Sequence, residues 1–315
     1  MRVLVQADME GAAQIDDFRE CFPYFPEYWR TGRHKLTADV VAAVAGLFAG
    51  GATAVVVRNS HGLPDWPNVL PEALPPRAEL EAGGFGAGPA RRTFDATFQV
   101  GRHARCGTRD GFLSHTGVYD FRVAVDGAPI TESHGIAGAW SVGAPVLGIT
   151  GDAALGRELD GGLTGTPFLA VKRSTSRSAT APIHADPAAG AAAIRAFARD
   201  CARRWRERPA PRLPGRFAVE ISLDRGAAAQ LAGQHGLTRT SPCVLRLDAT
   251  DWQREAAPAV GAAAGAAAGG LLAALAGLDL TTEATMQQQP PERLAAARRA
   301  FADFAAADYA AWRTE

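Results

Sequence analysis

Val3-Leu4-Val5-Gln6-Ala7-Asp8-Met9-Glu10-Gly11 is the stretch whose reading decides the fold. Val3 to Ala7 is a short, nearly unbroken apolar run, the pattern of a strand buried on both faces of a sheet. Two acids one residue apart follow its C-terminal end, and in open α/β sheets that end is where ligands bind. Val55-Val56-Val57-Arg58-Asn59-Ser60-His61 then delivers a histidine after a second apolar run, and Phe98-Gln99-Val100-Gly101-Arg102-His103 does so after a third. Glu132 follows a hairpin expected around Asp126-Gly127. Histidines and carboxylates arriving at one sheet edge make a ligand list for two divalent metal ions.

The chain has 315 residues, enough for one large or two medium domains. Its 33 basic and 33 acidic side chains give no formal net charge, which argues against nucleic acid or an anionic membrane surface as partner. Cys21, Cys106, Cys201 and Cys243 are far apart and form no Cys-x-x-Cys pair, so reduced thiols in a cytoplasmic protein are expected. Arg2 precedes only a short apolar run before Asp8, unlike a signal peptide. Ala256 to Leu280 is apolar, but its alanine and glycine content is too weakly hydrophobic for a membrane span.

Strand and helix signals alternate along the chain. Phe18 to Trp29 reads as an aromatic, proline-containing loop. Val40, Val41, Val44, Leu47 and Phe48 set a helical period over 37–50, closed by Gly50-Gly51. Strands are expected over 54–58, 96–100, 146–150 and 168–172, with 64–89 mostly loop, a helix over 135–142 and a turn at Gly151-Asp152. Asp126-Gly127 suits a type I′ turn between strands within 121–130. Asp186 followed by Pro187 is an N-cap with proline at N1, opening a helix to about residue 206. The rhythm predicts an α/β fold, a mostly parallel or mixed sheet with helices on both faces. The proline-rich run 209–214 divides it into a metal-binding catalytic domain, 1–208, and a smaller α+β region, 215–315. In the latter, strands are expected over 217–223 and 244–248 and a helix over 226–236. The Ala-rich tail closes on an amphipathic helix, 291–312, with Leu294, Ala297, Phe301, Phe304 and Trp312 near one face.

Asp8-Met9-Glu10-Gly11, Asn59-Ser60-His61, Gly101-Arg102-His103-Ala104-Arg105, Leu113-Ser114-His115-Thr116 and Val171-Lys172-Arg173-Ser174-Thr175-Ser176-Arg177-Ser178 resemble the motif series of the M55 family of D-aminopeptidases. The order and spacing match over roughly the first 255 residues. The resemblance implies a co-catalytic two-zinc aminopeptidase; the mixed nitrogen and oxygen donors suit zinc, and manganese or cobalt could substitute. It also implies a homo-oligomer of stacked rings, with a decamer as one candidate size. By position, Asp8 bridges both ions, Glu10 and His103 complete one site, and His61 and Glu132 complete the other. His115 matches the family's catalytic residue. Apart from the family, one ion of such a pair lowers the pKa of water while the other polarises an amide oxygen, and an imidazole nearby moves the proton.

The chain departs from the family at Asn59, where an aspartate is common, and in Glu132-Ser133-His134-Gly135-Ile136-Ala137, where a glycine, an apolar residue and an asparagine usually follow the acid. Asn59, His134 and Lys172 are therefore candidate substrate contacts or supports of the ligands. Metal chemistry should be retained while the substrate pocket is altered. The expected function is cleavage of short peptides with an N-terminal D-residue or glycine. The alternatives are a two-zinc amidase for one small amide in a specialised pathway and a non-enzymatic, metal-stabilised assembly protein.

Overall fold

The computed structural model describes all residues except 64–65, 82–92, 119–120, 136–137, 160–162, 164, 270–274, 276, 280–281 and 307–315. Strand β1 (Arg2–Ala7) sits inside a seven-stranded sheet. The chain runs outward on one side through β2 (Ala54–Asn59) and β3 (Ala78–Glu81), then returns to the other side of β1 as β4 (Ala96–Arg102). From there it continues through β7 (Val146–Asp152), β8 (Phe168–Ser174) and β9 (Thr180–Pro182). Every pairing in this sheet is parallel except that of β8 with β9. The strand order therefore reverses between β1 and β4, and such a switch point opens a crevice beyond the C-terminal strand ends.

The apolar runs became strands as expected, because strands covered on both faces need no polar alternation. β3 and β9 were not foreseen. Both lie at the edges of the sheet, where a half-exposed sequence such as Ala78-Glu79-Leu80-Glu81 carries no apolar run. Pro182 fits β9 because an edge strand has a side that needs no donor. Helix α1 (Pro26–Ala49) starts eleven residues before its apolar period implies. Pro26 sits at N1, where its fixed φ suits a helix and its missing N–H is no loss. Trp29 and Leu36 then bury themselves against the sheet. Residues Gly151 and Asp152 continue β7 rather than turning, and Asp152 caps the short helix after it by accepting from Ala154 N. The expected helix over 135–142 is confined to Ala139–Val142, residues 136–137 lying outside those described.

Strands β5 (Arg122–Val125) and β6 (Ala128–Pro129) form the expected hairpin, with Asp126 at φ 49° and Gly127 at φ 79°, as a type I′ turn requires. They belong to a second, antiparallel five-stranded sheet completed by β10 (Phe217–Ser222), β11 (Thr238–Ser241) and β12 (Val244–Ala249). Its core holds Phe121, Val219, Ile221, Leu245, Trp140 and Trp252. The expected boundary at 209–214 is thus crossed, since β5 pairs with β10. The tail crosses it again. Helix Pro291–Ala306 returns to the first core, where Phe301 lies 4.1 Å from Phe22 and 4.6 Å from Tyr24 between ring centroids. Trp312 lies outside the described residues. Among those described, no helix is long and apolar enough to cross a membrane.

The ends of β1 and β4 touch through their backbones. Asp8 N donates to Val100 O at 2.9 Å and Gly11 N to Gly101 O at 2.8 Å. Gly101 has φ +74°, and a Cβ placed there would stand 2.0 Å from the Asp8 carbonyl oxygen. Positive φ in a non-glycine residue costs about 1–3 kcal/mol, and the clash adds to it. Gly101→Ala should therefore lower the melting temperature more than Gly233→Ala, where φ is +84° and nothing lies within 4 Å. Equal losses in thermal unfolding would show that the two strand ends do not meet in this way.

Candidate metal centre

Three neighbouring strands deliver the acidic and imidazole groups side by side. Asp8 and Glu10 follow β1, His61 follows β2, and Arg102 and His103 close β4. The pairing of β4 with β7 slips between Gln99 and Arg102, so the strand loses its regular alternation where it must aim two successive side chains. Glu132 arrives from the turn after β6, and His115 from the loop between β4 and β5. Two groups result: Asp8, Glu10 and His61 in one, and His103, His115 and Glu132 in the other.

Asp8 lies between them. Its Oδ1 is 3.4 Å from His61 Nδ1, while its Oδ2 is 3.7 Å from His103 Nε2. Glu10 Oε2 is 3.1 Å from His61 Nδ1. Glu132 Oε2 is 3.7 Å from His103 Nε2, and its Oε1 is 3.7 Å from His115 Nε2 and accepts from Gly117 N. The central position of Asp8 suits the bridging role the family resemblance implies. The remaining partition differs from the expected one: Glu10 stands with His61, and His103 with Glu132. The strand order explains this, because β1 lies between β2 and β4, and Glu10 is turned toward β2.

Each imidazole has one nitrogen fixed by a backbone carbonyl. His61 Nε2 is 2.7 Å from Cys21 O, His103 Nδ1 is 2.9 Å from Ala104 O, and His115 Nδ1 is 2.7 Å from Leu113 O. Donation to a carbonyl requires the proton on that nitrogen, so His61 Nδ1, His103 Nε2 and His115 Nε2 are the nitrogens aimed at the carboxylates, and a metal ion would take the lone pair there by displacing any proton the acids hold on it. Leu113 holds φ +46°, unusual for leucine, while presenting that carbonyl. His103 Nε2 is buried with no hydrogen-bond partner, an orphan that a metal ion would satisfy. Mixed nitrogen and oxygen donors of this kind fit zinc.

Burial opposes charge throughout, and pairing overrides it at most positions. Burial favours the neutral Asp8 carboxyl, but the hydrogen bond from His61 and the charges of Arg102 and His103 hold it far below the carboxylate range. Burial likewise works against protonated His61 and His103, yet the acids beside them raise both to about 10. Burial of Glu132 is outweighed by His103 and His115, and its carboxyl falls to about 2. His115 goes the other way, lowered by burial and by His103, whose ring stacks on it at 4.1 Å and 9°.

The three remaining candidates act on the frame. Asn59 accepts from His61 N at 3.3 Å and donates to His61 O at 2.8 Å, so it clamps the backbone of His61 and leaves the imidazole to Cys21. An acid at this position is therefore not needed to orient the ring. Asn68 and Trp29 extend that clamp. His134 is fully buried against Trp140, with its Nδ1 accepting from Thr131 N in the turn that carries Glu132. Lys172 is fully buried too; its Nζ donates to Glu10 O at 2.7 Å and to Ile15 O, tying down the loop after β1, and burial lowers it to about 8. Arg102 joins the site although the motif series assigns it no role. Its Nη1 donates to Asp8 Oδ2 at 3.0 Å and stands 3.9 Å from Glu132 Oε2. An arginine ending a fully buried strand, directly before a candidate ligand histidine, is the signal in the sequence.

Known proteins resemble this chain in sequence and in fold. The model of the M55 peptidase family, described as D-aminopeptidase, matches residues 1–257. A D-aminopeptidase of Bacillus subtilis (strain 168) is 30% identical over 187 residues, 57% of this chain and 66% of that protein. The alignment thus spans just under two thirds of that relative. The solved structure of the Zn-dependent D-aminopeptidase DppA from Bacillus subtilis, a self-compartmentalizing protease, superposes with a TM-score of 0.75 at 24% identity. It covers 85% of this chain and 98% of that one, which establishes a shared fold. With the family model spanning most of the sequence and the motif residues gathered at one sheet edge, the chain belongs to the M55 peptidase family of D-aminopeptidases, a family of hydrolases.

Proposed function

We propose that the chain is a two-zinc aminopeptidase acting on short peptides that begin with a D-residue or glycine. The observation that carries this is the convergence of three imidazole nitrogens, each aimed by a backbone carbonyl on the other side of its ring, on three buried carboxylates. Asp8, Glu10 and His61 would hold one ion, with Asp8 shared and His103 and Glu132 holding the other. Zinc, when bound, would supply Lewis-acid polarisation of the scissile carbonyl and a nucleophilic water at neutral pH. His115 is the most exposed member of the two groups, with 14% of its side chain accessible, so it faces the approach to the site. Its Nε2 is the acceptor that takes the proton from the attacking water and returns it to the leaving amine. Family membership among hydrolases weighs against a purely structural assembly protein.

A panel of chromogenic amides tests the assignment. D-aminoacyl and glycyl substrates should be hydrolysed, activity should disappear with a chelator, and zinc should restore it. Turnover of N-acyl amides alone would make the protein a dedicated amidase instead.

His115→Ala should keep the metal and the fold while turnover falls about 100- to 10,000-fold. Elemental analysis beside the kinetics separates two roles, since loss of metal in this variant would make His115 a ligand rather than the proton carrier.

Self-compartmentalization in the related structure supports assembly here as well, with small peptides admitted to an enclosed space and a decamer as one candidate size. Four free thiols support a cytoplasmic setting. Light scattering at micromolar concentration should give a mass above that of two 33.0 kDa chains. A monomer that still turns over substrate would remove the enclosure and the size limit it places on substrates.

A further inference from the structure

We propose that Arg102 is a resident cation of the metal centre, which splits metal loading into one tight and one weak step. This rests on the two-metal reading above. Arg102 ends β4 with 1% of its side chain accessible, so its charge is paired inside the protein rather than in water. It bonds Asp8 Oδ2 at 3.0 Å and lies 3.9 Å from Glu132 Oε2. Those are the two oxygens that stand 3.7 Å from His103 Nε2. The guanidinium and His103 Nε2 therefore face the same pair of carboxylate oxygens. On the other side, Asp8 Oδ1 and Glu10 Oε2 face His61. The nearby buried cation there, Lys172, binds the backbone carbonyls of Glu10 and Ile15 and leaves the ligand oxygens alone.

Charge counting gives the consequence. With the imidazoles neutral, as metal ligation requires, the groups whose charged atoms meet at the ligand positions, Asp8, Glu10, Glu132 and Arg102, carry two net negative charges, and Lys172 behind Glu10 makes the surroundings more positive still. One divalent ion cancels the two negative charges. A second leaves two uncompensated positive charges in a buried site, which is costly. It must also share Asp8 Oδ2 with a charge-assisted hydrogen bond. The weak step falls on the side of His103 and Glu132, and the tight step on the side of Glu10 and His61. At the effective dielectric of a protein interior, a unit charge this close to a divalent ion is worth more than about tenfold in affinity.

The test is an equilibrium zinc titration of the full chain stripped of metal, followed by calorimetry against a competing chelator. Wild type should bind one equivalent at least about tenfold more tightly than the next. Arg102→Gln keeps a donor for Asp8 but removes the charge, and should bring the two steps together by strengthening the weak one. Arg102→Lys keeps the charge and should preserve the separation. His103→Ala should abolish the weak step and spare the tight one. Two equivalents entering wild type in a single step would overturn the proposal, whether or not any variant folds. So would Arg102→Gln that titrates like wild type, or His103→Ala that loses the tight step. Failure of wild type to bind zinc at all would bring down the two-zinc function itself, a result distinct from two equal steps.

Discussion

A carboxylate taken out of water must be compensated on every side, and Asp8 imposes that requirement on this fold. Leaving such a charge unpaired in the interior costs several kcal/mol, far more than loop adjustments cost. Asp8 meets it with His61 on one oxygen and with Arg102 and His103 on the other. Those partners come from the ends of β2 and β4, so the two neighbours of β1 must deliver side chains at its tip. Backbone contact between the β1 and β4 ends follows, and with it the glycines at positions 11 and 101, where a Cβ would stand within about 2 Å of a facing carbonyl oxygen.

Compensation extends outward through parts of the chain with no chemistry of their own. Cys21 contributes only its carbonyl, which fixes the His61 ring. Phe22 packs beside His61 and is in turn covered by Phe301 from the tail helix. The second sheet supports Glu132 from the opposite direction: His134 and Trp140 brace its turn, and Trp252 packs on Trp140 at 4.9 Å. The candidate ligands are thus held by both hydrophobic cores, and among the described residues the C-terminal third of the chain braces the site without placing a residue in either group. Rigid support of this kind is what a metal centre needs if the ligands are to be in place before the ion arrives.

The local pattern of the sequence carried the central strands and most of the site. Val3 to Ala7, Val55 to Val57 and Phe98 to Val100 are mostly apolar, Gln6 and Gln99 apart, because both faces of the sheet are covered, and that burial writes itself into composition. Asp8, Glu10, His61 and His103 are legible from their place just past those runs. β3, β9 and β11 were not legible, since strands with an exposed face or edge can be polar throughout, as Thr238 to Ser241 is. The first half of α1 was hidden behind Pro26 and the aromatic residues around it, which read as loop until packing shows Trp29 inside the core.

What the sequence determined by itself is therefore the family, the α/β class and the identity of the groups at the sheet edge. The tertiary structure decided their arrangement: Glu10 with His61, His103 with Glu132, Asn59 on a backbone rather than on a ring, and Arg102 between two acids. Spacing along a strand fixes where a side chain leaves the backbone. The nitrogen an imidazole presents, and the acid it meets, depend on carbonyls and strands brought together only by folding. Cys21 O lies 40 residues from His61 in the chain and 2.7 Å from its ring in space.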